Sequence, residues 1–196
     1  MKTEFTIEEI RKKLAHLKPD IIPTPEHQRP ASVLVPFYEN ENGLSLVFMM
    51  RPDYPGVHGG QISFPGGKRG EADTDDLSTA LRETEEEIGV KKDDIEVWGR
   101  LSTFQTKGSA FCVTPFVGRI PFPYEFHPEP KEVDRLIIVP FSYLLDPKNS
   151  TFGDFVFKGY SFPSYMFSYK KDVIWGITAR ILNSFITFLR TGQESY

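Results

Sequence analysis

Residues 82–89 read RETEEEIG and crowd four glutamates into five positions. Helical geometry organises the run. Leu77, Leu81, Thr84 and Ile88 are spaced 4, 3 and 4, an apolar stripe at about 100° per residue. On the same wheel Glu83, Glu86 and Glu87 gather on the opposite side. Thr74 or a neighbouring aspartate caps the start, Asp75 and Asp76 suit the positive N-terminal end, and Gly89 supplies the stop. The chain must therefore hold a short helix with one face to bury and one face of like charge. An acidic run of this kind can be a solvated face. Yet Glu83 and Glu87 form a like-charge i,i+4 pair, which by itself is destabilising, and Arg82 is the one nearby counter-charge in sequence. A hard divalent cation such as Mg²⁺, which seeks carboxylate oxygens, would turn that repulsion into a site.

The approach to the helix points the same way. In FPGGKRG two glycines make a turn where backbone can come close to a ligand, and Lys68 and Arg69 follow. Taken singly these are a tight turn and a solvated basic pair. Joined to a carboxylate helix they form a constellation suited to phosphate and metal.

The remaining sequence bounds the architecture. At 196 residues, 39% apolar and 26% charged, the chain has the size and composition of one globular domain. Its net charge of −4 offers no basic face for a nucleic-acid backbone. The lone Cys112 excludes an internal disulfide framework, fits a reducing compartment, and reads as a small buried residue in the strand-like FCVTPFV. MKTEFTIEEIRKKL lacks the apolar core of a secretory signal. It reads as an amphipathic helix, with Thr6 and Glu9 at capping-box spacing. The C-terminal VIWGITARILNSFITFLR is interrupted by Arg180 and Asn183 and reads as a helix packed on the core rather than a membrane span. A soluble, cytoplasmic protein is expected. Strand patterns in SVLVPFY, LSLVFMMR, QISFPGG, IEVWGRL and AFCVTPFVGRI, followed by a proline-broken loop, IIVPF and the aromatic-rich FGDFVFKGYSF, interleave with three helices, predicting an α/β (α+β) fold with a mixed sheet between helices. Residues 1–30 are expected to be an N-terminal helix with a proline-rich connector, and residues 31–196 the main domain.

The segment from FPGG to RETEEEIGV resembles a Nudix box. Arg82, Glu83, Glu86, Glu87 and Gly89 fill its second half in register. Its first half departs, with Gly67 one residue further from Arg82 and Thr74, flanked by Asp73 and Asp75, where the pattern has a glutamate. That extra residue is similar to the coenzyme A diphosphatase branch of the Nudix hydrolases, as are Arg51, Gly60, FPGG, FCVTPFVG and VIWGITARI. A basic residue usual in that branch is replaced by Gly56, with His58 nearby as a loop residue rather than a ligand.

The resemblance implies a Nudix-type α/β/α sandwich and metal-dependent hydrolysis of a diphosphate linkage, in coenzyme A or acyl-coenzyme A, giving 3′,5′-ADP and 4′-phosphopantetheine or its acyl form. Another nucleoside diphosphate derivative such as ADP-ribose or NADH, or a non-catalytic nucleotide-sensing domain, stays open as an alternative. It further implies Glu83, Glu86 and Glu87 as ligands of Mg²⁺ or Mn²⁺, with Arg82 orienting them. Arg51, Gly66, Gly67, Lys68 and Arg69 are the candidate substrate contacts. Glu132, ahead of Glu129, is the candidate general base, a solvated loop acid being the alternative. Phe104, Tyr124 and Phe126 are candidates to stack on a base. The expected partner is a small nucleotide-type molecule, with no nucleic acid and no membrane, and a homodimer is left open.

Overall fold

The structure is a computed structural model, and it describes residues 4–41, 43–54, 59–106 and 110–195. Gly56 and His58 lie outside the described residues. Helix α1 (Ile7–His16) starts at a capping box in which the Thr6 hydroxyl accepts the Glu9 N–H at 3.2 Å and the Glu9 carboxylate accepts the Thr6 N–H at 2.9 Å. A connector without regular structure leads to strands β1 (Arg29–Asn40) and β2 (Gly43–Met50). Two short strands follow, β3 (Ile62–Ser63) and β4 (Gly66–Lys68), then helix α2 (Asp76–Ile88). Next come β5 (Glu96–Arg100), β6 (Phe104–Gln105), β7 (Phe111–Ile120) and β8 (Arg135–Pro140). Helix α3 (Phe141–Leu145), strands β9 (Ser150–Phe157), β10 (Tyr160–Tyr169) and β11 (Asp172–Ile174), and helix α4 (Gly176–Thr191) complete the chain.

Strands β1 to β8 make one mixed sheet with β1 at its centre, parallel to β7 and antiparallel to β2. Alternation along β1 and β2 splits the core. Val35, Phe37, Leu46 and Phe48 join one apolar cluster, while Leu34, Tyr38, Val47 and Met49 join the other. The first cluster takes in Ile10 and Leu14 of α1 and Phe185 and Leu189 of α4, and the second takes in Ala80 and Ile88 of α2. The result is the α/β/α sandwich that the element pattern predicts. Buried Cys112 on β7 and the packed α4 also agree with the sequence. Among the described residues no helix is long and apolar enough to cross a membrane.

Two segments take their form only in the structure, and one expectation, for Phe104, changes. The stretch IIVPF is a strand only to Pro140, where α3 begins, because five residues are too few to show a helical period. The aromatic-rich run after it forms a separate three-stranded sheet, β11-β10-β9. Phe104 is fully buried in the larger cluster, with the Arg180 guanidinium over its ring, so it has no face to offer a ligand.

Strand β1 also explains where the glycine turn comes from. Its antiparallel neighbour is β4 at residues 31–33 and β2 at residues 37–40, and Pro36, which has no N–H to donate, lies between the two pairings. The chain enters this split as Phe64-Pro65-Gly66, with the Leu34 N–H donating to the Pro65 carbonyl at 2.9 Å.

Candidate active site

Asp75, not Thr74, caps α2, accepting the Ser78 N–H at 2.7 Å, and Gly89 ends the helix at φ 73°. The helix lies along β1 and β4, so its last two turns, carrying Glu83 and Glu87, face the glycine turn. Gly66 (φ 147°) passes so close to Ser32 and Val33 that a Cβ would strike their backbone. Gly67 lies directly under the Glu83 carboxylate, in space a Cβ would take. These two glycines are what let the turn meet the helix.

The three glutamates sit in different environments. Glu86 is exposed and Glu83 half-buried, both bonded to Arg82, at 2.8 and 2.9 Å. Glu87 is 1% exposed. One Glu87 oxygen accepts the Gly66 N–H at 2.7 Å and the other accepts Arg51 at 3.1 Å. The expected solvent-side grouping is thus corrected for Glu87. It stands about 60° from Thr84 on the wheel, and the β4 turn closes over that side. The buried stripe rotates with it to Thr79, Ala80, Thr84 and Ile88, leaving Leu77 and Leu81 half-exposed.

Two arginines hold the group together. Arg82 donates twice to Asp73, at 2.8 and 2.9 Å, and once to the Lys68 carbonyl at 3.1 Å, besides its pairs with Glu83 and Glu86. Sequence reading missed Asp73 as the anchor of Arg82, though it flanks the position where the family pattern has a glutamate. Arg51 reaches Glu87 from the end of β2, supplying the second counter-charge that adjacency in sequence does not reveal. Of the expected substrate contacts, Arg51 is engaged with Glu87 and Arg69 with the Thr74 carbonyl (2.8 Å) and Asp76 (3.7 Å). Lys68 is exposed, its ammonium 5.7 Å from the centre of the Phe111 ring.

The loop between β7 and β8 brings the later acids in. The His127 N–H donates to the Ile88 carbonyl and the Glu129 N–H to the Glu87 carbonyl, so the loop covers the C-terminal end of α2. Glu132 follows one turn later, its N–H on the Glu129 carbonyl, exposed but near enough to raise the carboxyl groups of Glu83 and Glu87. Tyr124 and Phe126 pack against the α2-side cluster, and the Tyr124 hydroxyl donates to Asp94 at 2.9 Å. They form the wall under this loop.

Electrostatics record the crowding. Burial pushes Glu87 up to about 8, opposed by Arg51 and the Gly66 N–H and reinforced by Glu83 and Glu132. Burial also raises Glu83, which Arg82 opposes. Asp73 is held well below the usual carboxylate range by its hydrogen bonds from Arg82.

The NUDIX domain model matches residues 28–156. This chain belongs to the Nudix family. It is 32% identical over 158 residues to an uncharacterized Nudix hydrolase NudL of Photorhabdus laumondii, covering 81% of this chain and 83% of that one. It is 35% identical over 156 residues to the peroxisomal coenzyme A diphosphatase NUDT7 of Mus musculus, covering 76% of this chain and 66% of that one. With Nudix hydrolase 22 of Arabidopsis thaliana it shares 34% over 184 residues, 89% of this chain and 61% of the plant protein. The crystal structure of a Nudix hydrolase from Alicyclobacillus acidocaldarius superposes with a TM-score of 0.56 at 16% identity, over 86% of this chain and 98% of that one, which shows the shared fold. The chain is a Nudix hydrolase of a diphosphate substrate.

Nudix hydrolases generally use divalent metal ions. Among the described residues no group of three His, Cys, Asp or Glu side chains is placed to hold a metal ion, and the box carboxylates are instead paired with Arg82 and Arg51. The donors nevertheless suit a hard cation. They are carboxylate oxygens on adjacent turns, two of them raised by burial and mutual repulsion, a cost that a bound cation reverses.

Proposed function

We propose that this Nudix hydrolase cleaves the diphosphate of coenzyme A and acyl-coenzyme A, giving 3′,5′-ADP and 4′-phosphopantetheine or its acyl form. One observation carries the reading. The glycine turn faces a box helix set one residue further on than the general family pattern, in a chain that shares 35% identity with a coenzyme A diphosphatase. The hydrolase domain is taken as residues 31–196, with residues 1–30 appended. A cytoplasmic setting is supported by the single buried cysteine.

In this reading Glu83, Glu86 and Glu87 hold Mg²⁺ or Mn²⁺. When bound, the metal neutralises diphosphate charge and acidifies water. Arg82 keeps Glu83 and Glu86 on one side of α2, and Asp73 keeps Arg82 in place. Gly66 and Gly67 bring the turn close against Glu87 and Glu83, so that a phosphate beside these carboxylates also lies beside the turn backbone. Lys68, Arg69 and Arg51 supply positive charge at the rim, Arg51 by sharing its guanidinium between Glu87 and substrate. Glu132 takes a proton from the attacking water, whose oxygen bonds to one phosphorus as the bridging P–O bond breaks. The bridging oxygen leaves on the other phosphate.

The test is a panel of coenzyme A, acyl-coenzyme A, ADP-ribose and NADH with Mg²⁺ or Mn²⁺, products identified by mass. Coenzyme A or its acyl form is expected to have the highest kcat/KM. A higher value for ADP-ribose or NADH overturns the substrate assignment. No turnover of any of the four overturns the catalytic reading.

A further inference from the structure

The small sheet presents an apolar strand that the main core does not cover. Strand β9 pairs with β10 alone, leaving its outer edge open among the described residues. Along this hairpin Phe152, Val156, Tyr160 and Phe162 are 66%, 67%, 70% and 39% exposed. Alternation sorts them by face. Phe152, Asp154 and Val156 share one face, and the cross-strand pairs Phe155–Phe162 and Phe157–Tyr160 share the other. On that second face the Trp175 ring lies 4.7, 4.9 and 5.9 Å from Phe155, Phe157 and Phe162. The strand thus carries apolar side chains on both faces, with Asp154 among them on one, and among the described residues its outer backbone edge is open.

Those two properties together select the occupant. Lipid would cover the side chains but leave the edge N–H and C=O groups without partners in hydrocarbon. A small apolar ligand would cover one face and offer the edge nothing. A second strand satisfies both needs, and an open apolar edge is a template for one. The charges choose which strand. In an antiparallel pair of β9 strands related by a two-fold axis at Val156, residue 154 of each faces residue 158 of the other. Asp154 of each copy then meets Lys158 of the second, twice, around a central Val156 pair. Lys158 stands at the hairpin tip, where it bonds the exposed Asp53 at 3.3 Å and the Tyr54 carbonyl at 3.2 Å, a solvent-screened pairing that a second carboxylate can share.

We infer that β9 is a homodimerisation edge, joining antiparallel to β9 of a second copy with Val156 on the two-fold axis. The two small sheets become one continuous sheet. This holds whichever diphosphate the site cleaves.

Sedimentation of the full chain between about 1 and 100 μM tests it, with circular dichroism to verify folding. Wild type is expected to dimerise reversibly. Asp154→Lys and Lys158→Asp should each weaken the dimer by about tenfold or more, since each places like charges opposite one another twice. The turn tolerates the second change, because aspartate accepts positive φ and Lys158 has φ 48°. An equimolar mixture of the two single variants should regain the dimer as a heterodimer, and the double variant should regain it alone. A monomeric wild type, single variants that dimerise like wild type, or no recovery in both the mixture and the double variant overturns the inference. A monomer that pellets with phosphatidylserine vesicles overturns it in favour of lipid.

Discussion

Arg82 spreads its guanidinium over Asp73, Glu83 and Glu86 and the Lys68 carbonyl, and Asp73 fixes that spread by accepting two of its N–H groups. Asp73→Asn keeps the shape but loses the charge and one of the paired acceptors. It should cost on the order of 1–3 kcal/mol in urea unfolding and also lower kcat, because Arg82 is then free to swing with Glu83 and Glu86. Because Asp73 is held below its ordinary value of 3.8, its contribution is present above that pH and is lost only as pH falls through the lower folded value. The gap between wild type and variant should therefore stay flat across neutral pH. Glu87 has the opposite sign. Its carboxyl rises from 4.5 to about 8, so the folded state holds the proton more tightly than the unfolded chain. The stability this gives is full below 4.5 and is lost as pH rises toward 8. In metal-free protein, the melting temperature of Glu87→Gln minus that of wild type should climb over this window and then level off. A difference that does not change with pH would contradict the burial argument.

At the scale of elements, the site depends on how closely β4 passes under α2. Gly66 and Gly67 separate structure from chemistry within two residues. A Cβ at Gly66 meets the Ser32 carbonyl and the Val33 backbone, and φ 147° disfavours any side chain there. Gly66→Ala should leave little folded protein. The first atoms that a Cβ at Gly67 meets are those of the Glu83 carboxyl group, the far end of a flexible side chain. Gly67→Ala should fold, with unfolding free energy within about 1 kcal/mol of wild type, but lose most turnover. Melting curves and initial rates on the pair test this, and an active Gly67→Ala would show that the position of Glu83 does not matter.

Across the whole molecule, what was legible in sequence is what local spacing controls. The capping box of α1, the Gly89 stop and the clustering of Glu83 with Glu86 follow from residues a turn or less apart, and the sandwich follows from the order of periodic segments. What was not legible depends on distant parts of the chain. Glu87 is buried because β4 covers it. Arg51 becomes its partner through the sheet, and Glu132 nears the site only because the 127–133 loop bonds the end of α2. The orientation of β9 and β10 could not be read from aromatic content, since both faces of that hairpin carry aromatic side chains.

In the proposed function the exposed carboxylate of Glu86 serves the cleavage of coenzyme A rather than the fold. Mass analysis of coenzyme A incubated with wild type or Glu86→Gln at saturating Mg²⁺ tests it most directly, with melting temperatures taken on the same samples. Glu86 is exposed and paired only with Arg82 among its described bonds, so its neutralisation should change stability by less than about 1 kcal/mol. Wild type should give 3′,5′-ADP and 4′-phosphopantetheine in equal amounts, and the folded variant should give them about 100-fold more slowly or worse. Coenzyme A left intact by wild type, or cleaved equally fast by Glu86→Gln, would contradict the account.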